Sequence, residues 1–132
     1  TLLDGSRDQI TWEIGPSGFE MHLSSRVPNT IGSHILEKLP GVLGGRSPET
    51  IRHWAIHPGG SSVLDAVQNV LHLPDESLRP SREVLRQYGN MSSATIMFVL
   101  RDLLLEGGPG PGCAVGFGPG MAVESMTFSI AK

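Results

Sequence analysis

The stretch from Ala94 to Leu105 most narrows the folds open to this chain. Through Leu100 it is apolar nearly all round, and a helix of that kind belongs in an interior, covered by other layers. Its N-terminal flank, Asn90-Met91-Ser92-Ser93, is polar instead and stands out for that reason. The preceding residues supply candidate layers. Gln9–Ile14 alternates β-favouring with polar residues, Gly15-Pro16-Ser17-Gly18 is a turn signal, and Phe19–Leu23 alternates again, so Gln9–Leu23 reads as a hairpin. Val27-Pro28 breaks that pattern. Apolar residues at 31, 35, 36 and 39 then predict an amphipathic helix over Ile31–Leu39, with Pro40 and the glycines at 41, 44 and 45 as a surface connection.

His53–His57 (HWAIH) is a short apolar segment running into Pro58-Gly59-Gly60, which fits a buried strand, a glycine turn and a helix. Ser61 or Ser62 is the expected cap of that helix. Val63, Ala66, Val67, Val70 and Leu71 form one continuous stripe before Pro74. Ser81–Tyr88 predicts a shorter helix, capped by Ser81 and stopped by Gly89. Gly107–Gly112 (GGPGPG) reads as loop, Cys113–Phe117 as a buried strand and Met121–Ile130 as a last strand. The order hairpin, helix, strand, three helices and two strands predicts a layered α/β domain with a mixed sheet.

At 132 residues this is one domain or a large piece of one, long enough for a core without disulfides or structural metal. Hydrophobic residues make up 39% and charged ones 17%, a globular balance, and a net charge of -3 argues against nucleic acid or an anionic membrane as the main partner. No apolar run reaches the roughly 18 residues of a membrane span. A lone cysteine excludes an internal disulfide and fits a reducing compartment. The chain opens at Thr1 with nothing resembling a signal peptide, and reads as one that starts mid-protein.

Three segments place polar or glycine-rich residues at the ends of buried elements. His57, at the C-terminal edge of an apolar strand, sits where α/β sheets open onto ligands; a buried histidine bonded to a carbonyl is the simpler alternative. The neutral Asn90 amide sits at the positive end of a helix dipole, a setting suited to negative charge developing on a carbonyl or enolate oxygen; a plain N-cap explains it equally. Gly116-Phe117-Gly118-Pro119-Gly120 lacks the spacing of a nucleotide-binding loop, which leaves a pocket wall or a tight turn. The remaining histidines, His22, His34, His53 and His72, show no metal-ligand spacing, so no metal site is expected. Cys113, in an apolar strand with no helix start behind it, reads as a small hydrophobe rather than a nucleophile.

Taken together, WAIHPGG, REVLRQYGNMSSATIMFVL and VGFGPGMAVES, with GFEMHLSSRVPNTI upstream, closely resemble the C-terminal region of the type III polyketide synthases, the chalcone/stilbene synthase family, from about Trp12 to Ile130. The resemblance implies a thiolase-like, layered αβα half-domain spanning residues 1–132, with a mixed sheet and a buried central helix. It implies a Cys-His-Asn triad in which His57 and Asn90 are the histidine and asparagine, while the cysteine belongs to an N-terminal half outside this chain. The chain alone is therefore expected to be inactive. Met21 matches the gatekeeper between entry tunnel and cavity, and Trp12 falls where relatives keep a cavity-lining glycine. Ser92 matches a cavity position, Gly116 to Gly120 match the cyclisation-pocket loop, and Ser62 matches a coenzyme A contact.

The implied chemistry is decarboxylative condensation of an acyl-coenzyme A starter with malonyl-coenzyme A, with coenzyme A thioesters as substrates and no separate cofactor. The N-terminal half of the same enzyme, a homodimeric partner and a cytoplasmic location complete that expectation. Two alternatives share the fold: a condensing enzyme like β-ketoacyl synthase III or hydroxymethylglutaryl synthase, and a non-catalytic thiolase-fold binding module.

Overall fold

The structure, a computed structural model, describes residues 6–131, apart from the side chains of Phe19, Leu36 and Leu39. Its elements are β1 (Ile10–Gly15), β2 (Gly18–Leu23), α1 (Val27–Val42), β3 (His53–Ile56), α2 (Ser61–Leu71), α3 (Arg79–Tyr88), α4 (Thr95–Glu106), β4 (Gly110–Gly118) and β5 (Ala122–Ile130). β1 and β2 form the expected hairpin, with Gly15 opposite Gly18 across a two-residue turn, and Gly18 at φ 126° takes a conformation that side chains disfavour. The other strands form a mixed sheet in the order β3-β4-β5, parallel between β3 and β4 and antiparallel between β4 and β5.

The two-residue period of the strands divides the core. Trp54, Ile56, Cys113 and Val115 point to one face, where Ile31 and Ile35 of α1 and Val63, Leu64 and Val67 of α2 cover them. Ala55 and Ala114 point to the other, against Val84 of α3 and Val99 and Leu103 of α4. Large residues on one face and alanines on the other let α3 and α4 lie close to the sheet. The result is a three-layer αβα arrangement.

Several boundaries and one burial expectation change. α1 begins at Val27 rather than Ile31, because Pro28 falls in the first helical turn, where its missing N–H costs nothing. It also runs past Pro40 to Val42, and the Gly45 N–H closes the end by donating to the Pro40 carbonyl at 2.9 Å. Of its predicted stripe, Ile31 and Ile35 are buried; the Leu36 and Leu39 side chains lie outside the described residues.

Neither predicted serine cap forms. Gly60 is the N-cap of α2, and Ser61 and Ser62 are its first helical residues. α3 starts at Arg79, since Pro80 fits its first turn, and this places Ser81 inside the helix, buried, with its hydroxyl unpaired. The last three residues of GGPGPG belong to β4, not to a loop. Gly112 pairs with Phe128, whose ring lies where a side chain at 112 would stand, so glycine here serves the ladder.

The larger correction concerns α4. Only Thr95, Val99 and Leu103 are buried, one residue per turn on the sheet-facing side. Met97, Leu104 and Leu105 are 62%, 61% and 78% exposed. The helix is therefore covered on one face by the described residues rather than enclosed. Hydropathy reports that a helix can be buried all round, but not which surface covers it.

Candidate active site

His57 follows β3 directly. Its N–H donates to the Val115 carbonyl at 2.8 Å, which continues the β3–β4 ladder one residue past the strand and fixes where the side chain leaves the sheet. The Gly59 N–H turns back onto the His57 carbonyl at 3.0 Å, so the chain bends away at once into α2. The ring lines a half-open cleft of about 340 Å³ at this end of the sheet. Burial alone pushes the imidazole below its ordinary value, which favours the neutral form.

Asn90 reaches the same cleft from the connection between α3 and α4, the helices that pack on the Ala55 and Ala114 face of the sheet. Gly89, at φ 69°, stops α3 and turns the chain toward α4. The Asn90 amide donates from Nδ2 to the Gly59 carbonyl at 3.3 Å, while Oδ1 accepts the Ser92 N–H at 2.9 Å. This is an Asx-type turn rather than the helix N-cap weighed from sequence, since α4 is capped at Ala94 with no side-chain cap bond. The second Nδ2 hydrogen stays available, and both His57 and Asn90 line the cleft. Ser92 is held at φ 60°, a left-handed conformation that costs a non-glycine residue about 1–3 kcal/mol.

The other sequence candidates divide cleanly. Trp12 and Met21, direct cross-strand partners on the hairpin, both line the cleft, as do Ser92 and Gly116 through Pro119. Gly120 does not; it sits in the turn before β5 at φ 70°. Ser62 lies exposed on the first turn of α2, also outside the cleft. Sequence reasoning missed Ile10 and Leu23, which flank Trp12 and Met21 on the same hairpin face, and Ile31, Ile96 and Glu124. For Ile10 and Leu23 the signal was present, because positions two apart on a strand share a face.

The cleft wall is mainly apolar, which suits an acyl chain. If the cleft holds the acyl-coenzyme A starter that the resemblance implies, Met21→Phe in the full-length protein is expected to shift starter preference toward shorter acyl groups, since a rigid ring replaces a flexible thioether opposite Trp12. Competition between acyl-coenzyme A starters of graded length measures this, and an unchanged length profile removes Met21 from the gatekeeping role.

Cys113 is fully buried in the sheet core, and burial pushes its thiol up to about 11. It is a core residue, as expected. His53 Nε2 is 2.8 Å from the Gly108 carbonyl, the ordinary fate of a buried histidine. Among the described residues no group of three His, Cys, Asp or Glu side chains is placed to hold a metal ion, and no helix is long and apolar enough to cross a membrane.

The chain matches the family described as chalcone and stilbene synthases, C-terminal domain, over residues 1–131. Polyketide synthase 37 of Dictyostelium discoideum is 35% identical over 142 residues, which cover 99% of this chain and 5% of that protein. The crystal structure of PKS-I from the brown alga Ectocarpus siliculosus superposes with a TM-score of 0.87 at 31% identity, and that of a point mutant of CsyB with 0.90 at 26%. Each superposition covers 99% of this chain and 38% of the other. The chain is thus much shorter than these relatives. On a match that runs nearly end to end, in sequence and in fold, it belongs to the chalcone and stilbene synthase C-terminal domain family, with a thiolase-like α/β fold.

Proposed function

We propose that this chain is the C-terminal part of a type III polyketide synthase, and that His57 and Asn90 act with a cysteine supplied by the N-terminal half. The observation that carries the reading is the placement of one imidazole, just past the end of β3, and one carboxamide, in the loop before α4, on a single apolar cleft. The cysteine thiolate attacks an acyl-coenzyme A thioester and expels the coenzyme A thiolate. Malonyl-coenzyme A then loses carbon dioxide, and the electron pair of the broken C–C bond passes to the thioester as an enolate. His57 and Asn90 donate hydrogen bonds to that enolate oxygen. The enolate carbon attacks the acyl-cysteine carbonyl, a C–C bond forms, and the cysteine leaves as thiolate.

Neutral donors suit this step, because they stabilise charge as it develops without holding a permanent countercharge. Burial favours the neutral imidazole in this chain. A thiolate brought alongside pulls the ring back toward its charged form and lowers the thiol pKa in return. One partly buried histidine therefore serves both loading and decarboxylation.

The test uses the intact enzyme with malonyl-coenzyme A and a panel of acyl-coenzyme A starters. Release of carbon dioxide and products longer by two-carbon units, without acyl carrier protein, are expected. Absence of both with every starter overturns the reading.

A further inference from the structure

We infer that Thr95 is a positioning residue for Asn90, because its buried hydroxyl locks the left-handed loop that aims the carboxamide at the cleft. Thr95 is the first residue of α4 and is 0% exposed. Its Oγ1 accepts the Met91 N–H at 2.8 Å and donates to the Ser92 carbonyl at 2.9 Å. Asn90 Oδ1 lies 3.4 Å away as a second, longer acceptor for the same proton. One hydroxyl thus ties both ends of the Met91–Ser92 segment, which contains the strained residue at φ 60°.

The electrostatic consequence falls on the amide. Oδ1 faces two donors, the Ser92 N–H and the Thr95 hydroxyl, while Nδ2 faces the Gly59 carbonyl. A flipped amide would set oxygen against the Gly59 carbonyl and NH2 against the Ser92 N–H, so only one orientation satisfies every group. That orientation leaves a hydrogen, not a lone pair, for the cleft. Valine, which has the shape of threonine without the hydroxyl, would fill the site and continue the apolar helix. The hydroxyl contributes the loop geometry.

This inference rests on the proposed role of Asn90, and the experiment separates the two. In the full-length protein, Thr95→Val is expected to lower kcat for malonyl-coenzyme A decarboxylation by about 10- to 100-fold, the scale of a small misplacement of a reacting group. KM and the extent of acyl loading should stay near wild type. Thr95→Ser should restore most of the rate and Thr95→Ala should not; these two differ only in the hydroxyl, so they decide the matter if the valine variant folds poorly. Adding Thr95→Val to Asn90→Ala should cost little more than Asn90→Ala alone, because the two act as one unit.

Equal rates for Thr95→Ser and Thr95→Ala, or fully additive losses in the double variant, overturn the positioning role. If Asn90→Ala itself decarboxylates at the wild-type rate, the reading of the site fails instead.

Discussion

Asn90→Ala in the full-length protein is expected to lower malonyl-coenzyme A decarboxylation by on the order of 100- to 1000-fold, the usual cost of deleting one donor to a developing oxyanion. The fold should survive. Asn90 is exposed in this chain, and its side chain bonds to the Gly59 carbonyl, the Ser92 N–H and the Thr95 hydroxyl, none of them in the apolar core. Acyl loading should persist, since the proposed function assigns that step to the thiolate and His57. On the same reading His57→Ala should impair both steps, because the imidazole would also lower the thiol pKa. Asn90→Asp sharpens the comparison: it keeps the shape and the acceptor oxygen but places a carboxylate where negative charge develops. Its loss should equal or exceed that of alanine. Decarboxylation measured by carbon dioxide release, alongside trapping of the acyl-enzyme, distinguishes these outcomes. Wild-type decarboxylation in both Asn90→Ala and His57→Ala would remove the chemistry assigned to the cleft.

Why these two residues could be picked out from sequence, and others could not, follows from where the information lies. His57 and Asn90 each sit at a junction marked by local signals, an apolar strand meeting glycines and a glycine-stopped helix meeting a polar gap. Their approach to a single cleft depends on the parallel pairing of β3 with β4 and on the helices between them packing on both faces of the sheet. Local pattern has no access to that crossover; the family resemblance supplied it. The start of α1 was misplaced because Pro28 was read as a breaker rather than a first-turn residue, and that of α3 because Ser81 was taken as the cap although Pro80 fits the first turn. The α4 expectation failed for another reason. Met97, Leu104 and Leu105 carry the composition of an interior, yet the described residues cover only the opposite face. Thr95 was hidden altogether, because a single hydroxyl in an apolar helix looks like a neutral filler until its partners are known.

The two tryptophans offer the sharpest test of the layered core, since they share a chemistry and differ in setting. Trp54→Ala is expected to destabilise the protein by about 3–5 kcal/mol, combining the lost transfer energy of the indole with the cavity left behind. Trp54 is 1% exposed, in the middle of the sheet's large-residue face, beneath α1 and α2. Native domains hold only about 5–15 kcal/mol in total, so this one change threatens folding. Trp12→Ala, at 43% exposure on the hairpin, should cost far less and enlarge the cleft instead. Trp54→Phe, which refills most of the space, should recover a large part of the loss. Activity should follow stability at Trp54, because β3 is the strand that delivers His57, and should separate from it at Trp12. Urea unfolding followed by far-UV circular dichroism on the full-length variants gives the comparison. Similar midpoints for Trp54→Ala and Trp12→Ala would contradict the burial pattern and, with it, the strand register that carries His57 to the cleft.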